Sequence, residues 1–159
     1  MSAELIEKLL GFIDEIGISY RFGGMNGDSW VSGVQFVNGV MVVDRESLQY
    51  PGDLIYMAGL LATLPPTQRA SYSNNERPES AHEMGAIAWS YAAARYLSID
   101  PKVVFHDGGY QDGADQLIAQ LSGPQPVGGP LLQWYGMCDV FPEIANWVRS
   151  VETPEELSV

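Results

Sequence analysis

The sequence predicts an α+β fold, and three local patterns carry that prediction. Apolar residues recur at helical spacing near the amino terminus, two β-branched runs flank an Asn-Gly pair at 38–39, and two apolar stretches at 53–64 and 80–97 have helical length. With 159 residues, the chain is long enough to bury a hydrophobic core. We therefore expect one domain over residues 1–150, followed by an acidic tail at 151–159.

The first element is an amphipathic helix. Leu5, Leu9, Phe12 and Ile13 follow one face at intervals of three and four residues, and acidic residues occupy the other face. Gly17 ends this helix, and the short extended segment "ISYRF" follows it. This start lacks the basic residues and apolar block of a signal peptide, and no run approaches the roughly 18 apolar residues of a membrane span. We therefore expect a cytoplasmic protein without a membrane partner.

A β-hairpin is the next predicted element, in "GVQFVNGVMVVD". An Asn-Gly pair between two β-branched runs is the strongest short-range sign of a two-residue hairpin turn. Such a turn pairs Val37 with Val40 and Phe36 with Met41. Both faces of the two strands are largely apolar, so we expect the hairpin to be covered on both sides.

Two helices follow the hairpin. Asp53 is a good N-cap residue for the helix at 53–64, which carries almost nothing polar and ends at the Pro-Pro pair 65–66. A polar loop leads to the long helix at 80–97, where Ser80 and Glu83 have the spacing of a capping box. Beyond Pro101, Gly-rich turns alternate with further C-terminal helices, which we expect near 112–121, 130–137 and 142–148.

The charge balance excludes several classes of partner. The net charge is −12, from 20 acidic and 8 basic side chains. Contacts with nucleic-acid phosphates or with anionic lipid need clustered Lys and Arg, so we expect neither partner. Cys138 is the only cysteine, which excludes an intramolecular disulfide and a multi-cysteine metal site.

The segment "YPGDLIYMAGLLATLP" resembles the active-site segment of small bacterial zincin-like metallopeptidases of the gluzincin type, which read "GDLLHEAGHLA". In that alignment Tyr56 stands at the first His, Met57 at the catalytic Glu and Leu60 at the second His, while Ala58 and Gly59 are unchanged. The resemblance covers about residues 30–100, because the order of helix, strand, hairpin, helix, loop and helix is also that of a minimal zincin-like domain. The segments "VVFHDGGYQDGADQLI" and "PLLQWYGM" are similar to the same small proteins.

The zinc-binding motif needs two imidazoles four residues apart on one helix face, with a carboxylate that activates the bound water. Tyr56, Met57 and Leu60 provide none of these groups. The resemblance therefore implies a catalytically inactive pseudo-metallopeptidase with no metal and no cofactor. Such a protein would act as a binding or structural module for a small molecule or another protein.

Glu83 has two interpretations. The resemblance implies that it is the relic of the third zinc ligand, which gluzincins take from the helix after the motif helix. The capping-box spacing instead predicts that its side chain reaches back to the Ser80 backbone N–H.

An alternative hypothesis keeps an enzymatic activity. Glu79, His82, Glu83, His106 and Tyr110 would then form a relocated hydrolase site, with or without a metal. A third possibility is a structural domain whose likeness to zincins is limited to its fold.

Overall fold

The computed structural model describes residues 3–25, 27, 29–73, 76–110, 113–150 and 152, and for residues 107 and 110 it describes the backbone alone. In chain order the elements are α1 (Ala3–Glu15), β1 (Tyr20–Phe22), β2 (Val34–Val37), β3 (Val40–Val43), α2 (Asp53–Ala62), α3 (Pro66–Arg69), α4 (Ser80–Tyr96), a 3-10 turn (Pro101–Val103), α5 (Asp107–Tyr110), α6 (Ala114–Leu121), α7 (Gly129–Trp134), β4 (Cys138–Val140) and β5 (Glu143–Ile144). The predicted α+β class is confirmed.

The larger sheet has the order β1-β3-β2, with β1 parallel to β3 and β2 antiparallel to it. The predicted hairpin register is confirmed, because Val37 pairs with Val40 and Phe36 with Met41. Phe36 and Met41 are fully buried on one face, and Gln35 is buried on the other. The expected cover on both sides is therefore present over most of the hairpin.

Helix α2 lies at the centre of the molecule. Every one of its residues is buried, which explains why the segment is apolar on all sides. The helix packs mainly against α4 and also contacts α1 and β2. The predicted arrangement, with the hairpin beside α2 and the long helix across it, is confirmed. The two helices end at Ala62 and Tyr96, one or two residues before the predicted ends.

Both predicted helix caps are wrong. The N-cap of α2 is Gly52 and not Asp53, and no side-chain hydrogen bond caps this helix. Glu79, not Ser80, is the N-cap of α4. Asp53 and Glu83 instead direct their carboxylates to partners distant in sequence, so a tertiary contact has replaced each local one.

The carboxyl-terminal region differs from the prediction. A helix at 142–148 does not form; β5 occupies Glu143–Ile144, and the chain then runs irregularly along other elements. Its backbone groups bond elsewhere, because the Arg149 N–H donates to Ala62 O over 2.8 Å and Trp147 O accepts from Trp89 Nε1 over 2.8 Å. The expected helix near 112–121 begins at Ala114, and residues 111 and 112 lie outside the described part.

The end of α2 is closed by two arginines. Arg149 Nη1 donates to Thr63 O over 3.1 Å, and Arg69 donates to Leu61 O and Leu64 O over 3.0 and 2.9 Å. These donors satisfy carbonyls that a helix end otherwise leaves without intrahelical partners.

The predicted tail at 151–159 lies outside the described residues except for Glu152, whose carboxylate accepts from the N–H and the hydroxyl of Thr67. Within the described ranges, no helix combines the length and the apolarity needed to cross a membrane.

Candidate functional site

A cleft of about 270 Å³ opens beside the first turn of α2. Its walls come from the segment before β2, the start of α2, the loop before α4, the first turn of α4 and the segment that begins α5. The lining residues are Trp30, Val31, Ser32, Gln49, Tyr50, Asp53, Tyr56, Arg77, Glu83, His106, Gly108 and Gly109.

Glu83 is the centre of the first polar group in the cleft. The Tyr56 hydroxyl donates to Glu83 Oε2 over 2.6 Å. The Arg77 guanidinium donates through Nε to both carboxylate oxygens over 3.2 Å and through Nη2 to Oε1 over 2.8 Å. Glu83 is recessed, with its side chain 17% exposed, whereas that of Arg77 is 70% exposed. A recessed carboxylate needs charged or polar donors, and this one receives a phenol from the core side and a guanidinium from the solvent side.

Asp53 and His106 form the second polar group. Asp53 Oδ1 lies 2.6 Å from His106 Nε2, and the two side chains are only 13% and 12% exposed. Burial raises the pKa of the Asp53 carboxyl above its ordinary value, although the hydrogen bond and charge of His106 act in the opposite direction. The pair therefore places a recessed carboxyl group at hydrogen-bond distance from an imidazole, two side-chain types that general acid–base catalysis uses.

The ring of Tyr50 fixes the position of His106. The two rings are stacked, with centroids 3.8 Å apart and planes 7° apart. Gly108 makes this arrangement possible, since a Cβ at that position would come within 2.4 Å of the Tyr50 ring. A side chain at 108 would therefore displace Tyr50 from its place over His106.

Aromatic rings form the remaining walls. The Trp30 ring meets the Tyr56 ring edge-on at a centroid distance of 6.4 Å. Trp30 is half-buried, and Tyr50 is 36% exposed. The cleft thus combines carboxylates with partly exposed aromatic surface.

Two of the three positions that the resemblance aligns with the zinc-binding motif do not line this cleft. Met57 and Leu60 are both 0% exposed and belong to the hydrophobic core. Tyr56 is the only one of the three among the described lining residues. Beyond its first turn, α2 is therefore surrounded by the apolar side chains of the core.

His82 also lies away from the cleft. Its Nε2 is 2.7 Å from the carbonyl of Leu60, which only accepts, so Nε2 carries the hydrogen. The ring meets Tyr72 edge-on at 5.9 Å. Burial lowers the pKa of His82, and the bond to Leu60 together with the charges of Glu79 and Glu83 opposes that shift only in part.

The structure brings together some of the predicted site residues. Tyr56, Glu83 and His106 share the cleft, whereas Glu79 is exposed and outside its lining. The side chain of Tyr110 lies outside the described part of the chain. No three His, Cys, Asp or Glu side chains of the described residues are grouped so that they could hold one metal ion.

Four lining residues that contact Tyr56, Glu83 or His106 were not predicted from the sequence. Trp30 and Tyr50 flank the hairpin and show no periodicity, and Asp53 has the appearance of a helix cap. The sequence does contain a pattern that could have predicted the role of Arg77, because it is the only Lys or Arg between Arg69 and Arg95. A lone cation in a polar loop just before a Glu-bearing helix indicates a local ion pair.

Comparison with known families, with curated proteins and with solved structures finds no match for this chain.

Proposed function

We propose that the chain is a zincin-like protein without a zinc site, a pseudo-metallopeptidase that acts in the cytoplasm as a binding module. The observation that carries this proposal is the 2.6 Å hydrogen bond between Tyr56 and Glu83. The resemblance assigns Tyr56 to the first zinc-ligand position and Glu83 to the third. Two ligands of one metal must face each other across a short gap, and these two side chains do so.

The burial of the other two aligned positions supports the same proposal. Met57 and Leu60 are fully buried among apolar side chains. A catalytic carboxylate and a second imidazole at these positions would need an open, polar surface. Core packing at both positions is the expected result when a metal site is lost and its helix face is refilled.

Arg77 supplies the charge that this interpretation requires. A carboxylate that once faced a divalent cation would be left uncompensated after loss of the metal. The Arg77 guanidinium places a permanent positive charge against both oxygens of Glu83. Together with the Tyr56 hydroxyl it satisfies the carboxylate, so a zinc ion would have to displace a guanidinium to bind there.

The metal content of the purified full-length chain tests the proposal. After dialysis without chelator, elemental analysis should find zinc far below one equivalent, and titration calorimetry should detect no tight zinc binding. Glu83→Gln and the matched control Glu79→Gln should both leave this result unchanged. Nearly one equivalent of zinc that survives dialysis and is lost in Glu83→Gln would refute the proposal.

A second candidate function is hydrolysis by the Asp53–His106 pair. The observation in its favour is that this recessed couple lies in the same cleft as Glu83. Wild-type protein would then hydrolyse ester or peptide substrates, His106→Gln would abolish the activity, and the control His82→Gln would retain it. Equal rates for wild type and His106→Gln would exclude this candidate.

A further inference from the structure

We propose that the cleft binds a guanidinium group of a ligand, which takes the place of Arg77 on Glu83. This inference rests on the proposed function, because it assumes that the cleft serves binding and holds no zinc. The ligand is either a small guanidine compound or an arginine side chain of a peptide.

The Arg77–Glu83 pair shows which chemistry the cleft accepts. Arg77 approaches Glu83 as a planar fork, with Nε and Nη2 within 3.2 Å of the carboxylate. Bidentate pairing of this kind is specific to guanidinium. An ammonium is a compact point charge and lacks the coplanar N–H groups that bind both carboxylate oxygens. Glu83 is therefore oriented for a guanidinium.

The exposure of the two side chains makes exchange possible. Most of the Arg77 side chain is in solvent, whereas Glu83 is recessed. On leaving Glu83, Arg77 would regain side-chain freedom and solvent contact, which offsets part of the lost ion pair. A second cation must enter at the same time, because a recessed carboxylate is costly to leave unpaired.

The walls of the cleft suit a cation. The rings of Trp30, Tyr50 and Tyr56 border it, and a guanidinium stacks well on aromatic faces. Asp53 adds a second carboxylate, and Arg77 is the only Lys or Arg among the described lining residues. The net charge of −12 also favours the approach of a cation over that of an anion.

The volume limits the size of the ligand. At about 270 Å³ the cleft lies just below the range of roughly 300–1,000 Å³ typical of ligand pockets. It therefore fits one head group or one side chain. A ligand that is larger than this must leave its remaining atoms outside.

Titration calorimetry with N-acetyl-arginine amide tests the inference, because the guanidinium is the only charge of that probe. The matched probe N-acetyl-lysine amide should bind more weakly. Arg77→Ala, which removes the competing fork, should tighten the binding of the arginine probe by about two- to fivefold. Glu83→Gln should weaken it by about tenfold or more, and added salt should weaken it in the wild type.

Arg45→Ala is the control variant, because Arg45 is also an exposed arginine in an ion pair, with Glu7, on a surface outside the cleft. Its affinity for the probe should equal that of the wild type. Circular dichroism establishes that each variant is folded. In addition, the ¹⁵Nε signal of Arg77 in wild-type protein should shift when the arginine probe is added, which tests displacement without any mutation.

The two sources of the guanidinium are separated by a third probe, a blocked pentapeptide with a central arginine. Tighter binding of the pentapeptide supports a peptide ligand, and equal binding supports a small guanidine compound. Equal affinity for the lysine and arginine probes, or failure of wild type and Arg77→Ala to bind either, would overturn the inference. The metal measurement is independent of these titrations, so bound zinc would refute the proposed function whatever the arginine probe does.

Discussion

Gly59 of α2 lies directly against the ring of Trp89 in α4. A Cβ at Gly59 would come within 2.9 Å of Trp89 Cε3 and 3.1 Å of Ala86 O. The close contact of the two central helices at this point therefore depends on the absence of a side chain at Gly59.

Replacement of Gly59 by Ala should destabilise the protein by about 1–3 kcal/mol, because overpacking a filled core forces neighbouring groups to move. The matched control is Gly11→Ala in α1, where an added Cβ meets nothing within 4 Å. That control should be neutral or stabilise by about 0.5–1 kcal/mol, since Ala favours a helix interior. Urea unfolding measures both. A Gly59→Ala variant as stable as wild type would show that α2 and α4 are less closely packed at this position than the contacts above indicate.

Truncation of Leu60 to Ala should cost about 2–5 kcal/mol, the usual range for a fully buried leucine. Leu60 is 0% exposed, and a cavity would remain where its side chain packs. Val140→Ala is the control, because Val140 is 66% exposed and its truncation should change the free energy of unfolding very little. A small loss for Leu60→Ala would mean that the side chain at position 60 is open to solvent.

Loss of the Tyr56 hydroxyl should also destabilise the fold. In Tyr56→Phe the recessed Glu83 carboxylate loses a donor but keeps Arg77, so the expected cost is about 1–2 kcal/mol. The same change at Tyr96, which is 59% exposed, should cost almost nothing. If Glu83→Gln is combined with Tyr56→Phe, the two effects should be less than additive, because the residues are in contact.

The combined change Tyr56→His, Met57→Glu and Leu60→His tests the relation to zincins. The two imidazoles would lie four residues apart on one helix face, and Glu83, already 2.6 Å from the side chain at 56, would be the third ligand. The variant should bind zinc more tightly than wild type in a calorimetric titration. Catalytic activity is not expected, because it also depends on residues around the ligands that these three substitutions do not provide.

Addition of Glu83→Ala to that triple variant should weaken its zinc binding. Met57 and Leu60 are core positions, so polar replacements will destabilise the protein, and circular dichroism must first establish that the variant is folded. A folded triple variant without any gain in zinc affinity would remove the support for a zincin ancestry.

Stability should fall as the pH drops through the range in which His82 titrates. Burial lowers its pKa from the ordinary value of 6.5, so the unfolded chain binds a proton more readily than the folded one. The stabilising contribution is therefore present above 6.5 and is lost as the pH falls through the lowered pKa. Urea unfolding at about pH 7.5 and 5.5 measures the loss, in a window where most carboxylates stay ionised. His82→Gln, which keeps a donor for Leu60, should show a smaller pH dependence than wild type.

The sequence predicts those parts of the fold that local chemistry determines. The Asn-Gly pair fixes a two-residue turn, and with it the whole register from Val34 to Val43. The unbroken apolar composition of α2 likewise predicts its burial in the centre. These signals lie within short segments and need no knowledge of the remaining chain.

The cleft was less predictable, because its contacts join distant residues. Asp53 meets His106 across 53 positions, and Glu83 meets Tyr56 across 27. Each acid has a plausible local role as a cap, and nothing in its own segment indicates that a tertiary partner takes precedence. The irregular segment after β5 has the same explanation, since its backbone bonds to Ala62 and Trp89 instead of to itself.

The contact of Arg149 with the end of α2 can form only late in synthesis. Arg149 and Thr63 are 86 residues apart in the chain, so the ribosome completes α2 long before it adds this arginine. At roughly 5–20 residues per second, that delay lasts about 4–17 s. During this interval the end of α2 has the donors of Arg69 but not that of Arg149, so the Thr63 carbonyl waits for its guanidinium partner.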